Sequence, residues 1–393
     1  MTTTKHHTGL SPLISGFRPP LLLTSALLGA LLLTQASFTV AAAKGETLGF
    51  ALTWFGIANY EGEEDCPNGL AVAPDRDAYL ASKTEEERAV LTDPKNQGGL
   101  MLEMVKRGPG GLNACNHPET AVEPPLRTVQ GNTAYGLNLT GTDGSSPAPN
   151  TCPHQKFANG LNGEDNVDNQ YYRVNGCQFG LRNDSPGGYI TQYRSGVMLD
   201  GNYTILVEVS GVDDRQNDDE VSIGIYQGQD PVVRDAAGQA VLTDASLRVM
   251  DDPQYQTVMK GKIVNGVILS TERKDVYLIE KANEASLAKP HLHFRDARIR
   301  MEVDEAGNFS GVLAGYHDWL PLYRTVSKAF SFGETSTGFT CPAVYQAYKS
   351  MADGYPDPDT GECTAISIGY LIKGIPTYVI HSDKSAVDKV AEQ

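Results

Sequence analysis

The chain has 393 residues, 40% of them apolar and 20% charged, which is the composition of a folded globular protein of one to three domains and excludes a disordered chain. Its 40 Gly and 22 Pro make it turn-rich, far short of a collagen-like sequence. Against 32 Lys plus Arg stand 48 Asp plus Glu, and a net charge of −16 excludes nucleic acid or an anionic membrane surface as the main partner, because a polyanion is repelled over most of such a surface.

Residues 1–20 carry Lys5 and Arg18 and no acid, Leu21–Leu33 is an apolar run, and Ala41-Ala42-Ala43 follows a polar break. A basic start, a short apolar core and a small-residue site predict a secretory signal peptide over 1–43, cleaved after Ala43. The apolar run is about 13 residues, short of the roughly 20 that a membrane span requires, and no later stretch is apolar enough to span. The mature protein is therefore expected to be secreted or periplasmic. Its six cysteines, Cys66, Cys115, Cys152, Cys177, Cys341 and Cys363, read as disulfides in that compartment. No Cys-x-x-Cys occurs, so neither a zinc knuckle nor a thioredoxin-like redox site is indicated. Sequence leaves the pairing open. The simplest scheme joins nearest neighbours, Cys66–Cys115, Cys152–Cys177 and Cys341–Cys363, each stabilising by about 3–4 kcal/mol through the unfolded state.

Residues 44–187 read as an irregular, partly helical N-terminal segment held by disulfides. One helix is expected over Asp75–Leu91 and a second over Leu100–Arg107, ending at Gly108-Pro109-Gly110-Gly111. Gly, Asn, Pro and Asp then dominate, with 145–150 the clearest loop. From 188 the period changes to two. Strands are expected at Gly188–Leu199, Tyr203–Val209, Val221–Tyr226, Ser246–Met250, Gln256–Val264, Val267–Ser270, Asp275–Ile279, His291–Val303 and Phe309–Ala314. Asn265-Gly266 marks a tight turn because Asn-Gly accepts positive φ. Short strands at about ten-residue spacing predict a mainly β protein: an antiparallel β-sandwich, jelly-roll-like, over 188–316, with a few peripheral helices and disulfide-stapled flanking segments. Over 317–393, Tyr323–Phe330 and Pro342–Ala352 read as helices, and Cys363–Ile380 returns to alternation as closing strands. There is no repeat of fixed period.

Four blocks together resemble an uncharacterised family of secreted bacterial proteins with no assigned activity: Arg127–Gly131, Asp165–Gln170 leading to Cys177, Val207–Tyr226 with its Asp-Asp-Glu loop, and Cys341–Cys363 with Ala352-Asp353-Gly354. The resemblance implies export and one integrated unit, and carries no chemistry.

Three acidic clusters offer oxygen ligands for structural Ca²⁺. One holds Glu164, Asp165 and Asp168, with oxygen-bearing side chains at alternate positions but without the glycine and glutamate of a helix–loop–helix calcium site. A second is Asp213, Asp214, Asp218, Asp219 and Glu220, whose charges repel unless solvated or bridged. The third is Asp353, Asp357, Asp359 and Glu362. His291 and His293, at i and i+2 on one strand, share a face and could ligate one metal. The Pro290–Phe294 phrase resembles the His-x-His strand of intradiol ring-cleaving dioxygenases, with Tyr255 and Tyr277 as imaginable partners and His317 as a third ligand, but the rest of that pattern is missing. Glu302 and Asp304 alternate like the paired acids of glycosidases without a second convergent acid. No nucleophile elbow, phosphate loop or dinucleotide fingerprint is present. Asn138, Asn183, Asn202 and Asn308 are glycan acceptors only in a eukaryotic host. Tyr171-Tyr172, Tyr316 with Trp319, and Trp54-Phe55 could stack on sugars or pack in a core. The expectation is a non-catalytic binding protein, glycan- or surface-binding, with structural calcium and a β-sandwich core. The alternatives are a secreted His-based metalloenzyme or glycoside hydrolase, and an envelope structural component.

Overall fold

Along Gln256–Val264, Met259, Gly261 and Ile263 are buried while Val258, Lys260, Lys262 and Val264 are exposed. Such alternation makes a strand with one apolar face, and most of the strands repeat it. The computed structural model of the chain describes residues 45–71, 73–96, 98–140, 150–181, 189–238, 240–280, 291–328, 334 and 339–382. The expected leader over 1–43, the loop residues 145–149 and Asn183 lie outside them.

The strands in chain order are β1 (Glu46–Ile57), the short pair β2 (Thr133–Ala134) and β3 (Asn159–Gly160), β4 (Thr204–Val212), β5 (Asn217–Gly228), β6 (Ala245–Arg248), β7 (Gln256–Val264), β8 (Val267–Ser270), β9 (Lys274–Ile279), β10 (His291–Val303), β11 (Phe309–Asp318), β12 (Gly354–Pro356) and β13 (Cys363–Ile380). The expected sandwich does not form. Strands β1, β4, β5, β7, β8, β10, β11 and β13 pair in that order, each antiparallel to the next, and β1 pairs with β13 to close an eight-stranded up-and-down barrel. Strands β6, β9 and β12 lie outside the closed ring, β6 and β12 on β13 and β9 on β10. Strand spacing and alternation are the same for a sandwich and a barrel. The difference is whether the first and last strands meet, and both lie beyond the 188–316 stretch from which the sandwich was inferred.

The barrel is filled by its own side chains. Phe50, Leu52, Phe55 and Ile57 from β1 join Ile223, Ile225, Met259, Ile299, Leu313 and Ile368 in one buried cluster. Phe55 stacks on Tyr370 at 4.5 Å and Phe50 meets Phe309 edge-on at 4.9 Å. A side chain at Gly374 would strike the Phe309 ring and the Ala51 carbonyl, so the ring close to this seam requires glycine there. The outward face carries Lys260, Lys262, Arg298, Arg300 and Glu302, the reverse of a lipid-facing barrel. No helix among the described residues is long and apolar enough to cross a membrane.

The stretch Asp75–Leu91 is two helices, α1 (Arg76–Ala81) and α2 (Glu85–Thr92), because Thr84 and Glu87 form a capping box that starts a new helix. Helix α3 is Gly99–Met104, α4 is Gln170–Asn175, α6 is Trp319–Lys328 and α7 is Cys341–Met351. Helix α5 (Tyr189–Leu199) occupies the stretch expected to be a strand. Its β-branched residues suggest a strand, but Ser195 and Met198, three apart, are the buried positions, and the Phe55 N–H donates to Ser195 Oγ at 3.3 Å. Asn265 and Gly266 both take positive φ in the β7–β8 turn, as their sequence requires.

The disulfides are Cys66–Cys177, Cys115–Cys341 and Cys152–Cys363, none of them the nearest-neighbour pairs. Two of them cross from the N-terminal segment to the C-terminal one, spanning 226 and 211 residues. Beside Cys152–Cys363, Leu137 and Leu139 pack on the outer face of β11 and β13 with Val312, Ala314, Tyr316 and Ala365, and Glu164 pairs with Arg298 at 3.1 Å. Proteolysis of the unreduced protein is expected to release peptides joined 66 to 177, 115 to 341 and 152 to 363 by mass spectrometry. Peptides joining Cys152 to Cys177 would contradict this arrangement.

Candidate functional site

The outer face of β10 carries His293, Arg295 and, at a bulge where the register with β9 and β11 shifts, Asp296. The bulge forces Asp296 to φ 50°, and Tyr355 on β12 sits at φ 55°. Asp visits the left-handed region more readily than most residues, whereas a tyrosine there costs about 1–2 kcal/mol. The bulge residue holds the strained tyrosine: the Tyr355 hydroxyl donates to Asp296 Oδ2 at 2.6 Å, and Asn150 Nδ2 donates to the same oxygen at 3.2 Å. The Arg295 guanidinium lies 3.3 Å above the Tyr355 ring and pairs with Asp318 at 2.8 Å. Beside them His293 Nε2 meets Asp275 Oδ2 at 2.9 Å and its ring stacks on Tyr277 at 4.1 Å. Asp275 Oδ1 accepts the Asp296 N–H at 3.1 Å. Acceptors, donors and aromatic rings thus alternate across one partly exposed patch.

Behind this patch, Tyr355 meets Tyr316 edge-on at 5.8 Å, and Gly354 leaves room for the Tyr316 ring. Next to Gly354, Asp353 is fully buried and lies 3.5 Å from His154 Nε2, which is 2.7 Å from Asp168 Oδ1. Lys156 Nζ is 3.5 Å from Asp168 Oδ2. Burial pushes Asp353 up to about 6, against the pull of His154 and the Ser367 N–H. Burial of the His154 ring opposes its protonation, but the hydrogen bond to Asp168 and the charge of Asp353 outweigh it and hold its pKa above the ordinary histidine value. The Tyr316 hydroxyl has no hydrogen-bond partner. Burial first, then the charges of Asp353 and Asp168, push its pKa upward.

The sequence-predicted residues are distributed as follows. Asp168 belongs to the buried group. Glu164 is taken by Arg298 and by the Asn138 N–H, and Asp165 stands apart from them on the surface. Asp213 and Asp214 lie in the β4–β5 turn, and Asp218, Asp219 and Glu220 at the start of β5. There Asp218 accepts the N–H groups of Asp213 and Glu220, Asp214 accepts that of Gln216, and Glu220 meets Lys260 at 3.6 Å. No three of these acids converge on one point. Asp357 caps its own turn, and Glu362 pairs with Lys349. His291 and His293 share the outer face, but each is engaged separately: His291 Nδ1 meets the Tyr255 hydroxyl at 2.9 Å, and His293 meets Asp275. Tyr255 and Tyr277 do lie beside the two histidines, as stacked rings. His317 faces the core, edge-on to Phe294. Glu302 pairs with Arg300, and Asp304 accepts from Asn308 in the β10–β11 turn. Tyr171, Tyr172, Tyr316, Trp319 and Phe55 are core residues.

Sequence reasoning passed over His154. The available signal was Cys152-Pro153-His154, a histidine just past a cysteine, which gains meaning only once Cys152 is joined to Cys363. A third acidic group, Glu334 between Cys115 and Cys341, is structural: Arg107 donates to both its oxygens at 2.9 and 2.7 Å.

Searched against protein-family models, curated proteins and solved structures, the chain matches none. The class that can be stated is that of the fold: a closed, side-chain-filled, disulfide-bonded eight-stranded barrel.

His317 gives this core a pH dependence. Burial, reinforced by His293 and Arg194, pushes its pKa down to about 3. Between pH 6.5 and about 3 the unfolded chain binds a proton that the folded one refuses, so stability present above that window is lost as pH falls through it. Urea unfolding across this range should show a His317→Phe variant losing about 1.4 kcal/mol per pH unit less than the parent. Equal slopes would place a protonated His317 in the fold.

Proposed function

We propose that the protein is a non-catalytic binding protein, secreted or periplasmic, that takes a hydroxyl-rich ligand such as a surface glycan on the outer patch of β9, β10 and β12. The observation that carries this reading is the strained Tyr355, hydrogen-bonded to the bulge residue Asp296 on a partly exposed surface. Strain of this kind persists where the surroundings over-determine it, and it concentrates at binding and catalytic sites. Around the pair, Asp275, Asp296 and Asp318 supply acceptors, Arg295 and His293 supply donors, and Tyr277 and Tyr355 supply ring surface. Such a set suits the alternating hydroxyl and C–H faces of a sugar. The acidity of the chain disfavours polyanionic ligands. Three disulfides and the leader-like N-terminus support an oxidising destination.

The catalytic alternatives find less support in the geometry. Glu302 pairs with Arg300 and Asp304 with Asn308, and His291 and His293 bond to different residues, so neither pair converges on one point. Structural calcium, if the protein carries it, has no convergent acidic loop at 213–220 to sit in.

The test is an immobilised oligosaccharide array probed with the full disulfide-bonded chain. The parent is expected to bind a discrete set of sugars. Arg295→Ala and Tyr277→Ala should each weaken that binding about tenfold or more, about 1.4 kcal/mol, with the thermal midpoint little changed. No array binding, or binding indifferent to both substitutions, would overturn the reading.

A further inference from the structure

The buried group behind the patch carries an inference independent of the glycan reading. His154 and Asp168 lie 14 residues apart and Asp353 comes from a distant part of the chain, and each turns one atom outward to the backbone and one inward to a common point. His154 Nδ1 is 2.7 Å from the Cys152 carbonyl, so it carries the proton and leaves Nε2 facing inward. Asp168 Oδ2 accepts the N–H groups of Leu139 and Thr140 at 2.8 and 3.3 Å, leaving Oδ1 inward. Asp353 Oδ1 accepts the Ser367 N–H at 2.7 Å, leaving Oδ2 inward, and that oxygen has no hydrogen-bond donor although the residue is fully buried. The three inward atoms all lie within 4.8 Å of one another.

Outer partners that fix the tautomer of a histidine and the orientation of two carboxylates, while sparing one atom of each, are the arrangement around a bound metal. A salt bridge alone would explain His154 with Asp168. It leaves the inward oxygen of Asp353 without a donor, and a buried carboxylate oxygen in that state is costly. The hydroxyl of Tyr316, also buried and without a partner, lies close enough to feel both carboxylates.

We propose that His154 Nε2, Asp168 Oδ1 and Asp353 Oδ2 bind one divalent transition-metal ion of the zinc type. One imidazole with two carboxylates is a mixed nitrogen–oxygen set, which suits zinc and its neighbours and is unlike the all-oxygen cage of calcium. Three protein ligands leave a fourth tetrahedral position open to water. Bonds of about 2.0–2.2 Å to both partners at a tetrahedral angle need His154 Nε2 and Asp168 Oδ1 about 3.4 Å apart, so the ring withdraws by about 0.7 Å from its 2.7 Å contact. His154 can do so because it is the one partly exposed member, on the loop after Cys152. Lys156 holds the other oxygen of Asp168 and does not stand between the ligands.

The experiment uses the full oxidised chain, treated with chelator, exchanged into clean buffer and titrated with ZnCl₂ by calorimetry. X-ray absorption is then recorded on the loaded protein. The expected result is one ion per chain and a first shell of one imidazole with oxygens. His154→Gln and Asp353→Asn should each weaken binding at least tenfold, while His293→Ala leaves it unchanged. No saturable binding below about 1 mM, a shell with two or more imidazoles, or loss of binding on His293→Ala would overturn the proposal. The absorption spectrum of the parent protein decides the ligand set without reference to how the variants fold.

Discussion

The structure depends on one seam. Strand β13 is the last long strand of the chain, yet it pairs with β11 on one side and with β1, the first strand, on the other. Ile57 lies opposite Tyr370 and Phe50 opposite Pro376, so residues more than 300 positions apart complete the ring. Without this pairing the eight strands would form an open sheet with two exposed edges and a solvated apolar face. With it, Phe55 and Tyr370 stack inside the barrel. The closure is entropically demanding because its partners are so remote in sequence. The disulfides Cys115–Cys341 and Cys152–Cys363 join the same two regions of the chain and reduce that cost by restricting the unfolded ensemble.

Much of the barrel was legible in the sequence. Strands β7, β8 and β10 fall where alternation puts them, since each has one buried and one exposed face. The Asn265-Gly266 turn follows from chemistry alone. Strand β1 was not legible, because it is buried on both faces: Phe50 and Leu52 point into the barrel, while Ala51 packs outside with Leu206, Tyr226 and Leu247. A strand covered on both sides loses its period-two signature. A register shift between Leu52 and Trp54 disturbs it further. Missing β1 meant missing closure, and that is why a sandwich was the natural expectation. Helix α5 was misread for a related reason, since its fit against β1 is tertiary and outweighs local β propensity.

The candidate sites show the same division. Local reading found Asp168, Asp353 and His293 as chemistry-bearing residues, but grouped each with its sequence neighbours. The fold groups them otherwise. Asp214 and Asp218 spend their carboxylates on the backbone of the β4–β5 hairpin, which is the ordinary use of Asp there. Asp353 instead turns inward to His154, nearly 200 residues away, and Tyr355 turns outward to Asp296. The Asp353-Gly354-Tyr355 segment thus joins the buried group to the surface patch, with Gly354 giving the Tyr316 ring its place between them. The Cys152–Cys363 bond and the packing of Leu137 and Leu139 on β11 and β13 make this grouping, and neither has a local sequence signal.

Hydrogen–deuterium exchange along β1 and β13 tests the closed seam most directly. In a closed barrel the amides of Gly56 and of Ala58, whose N–H donates to the Gly369 carbonyl, exchange only with global unfolding, as slowly as those of Leu206–Val209 in β4. Rapid exchange of the β1 amides while β4 through β11 stay protected would contradict closure and return the fold to an open or two-sheet arrangement.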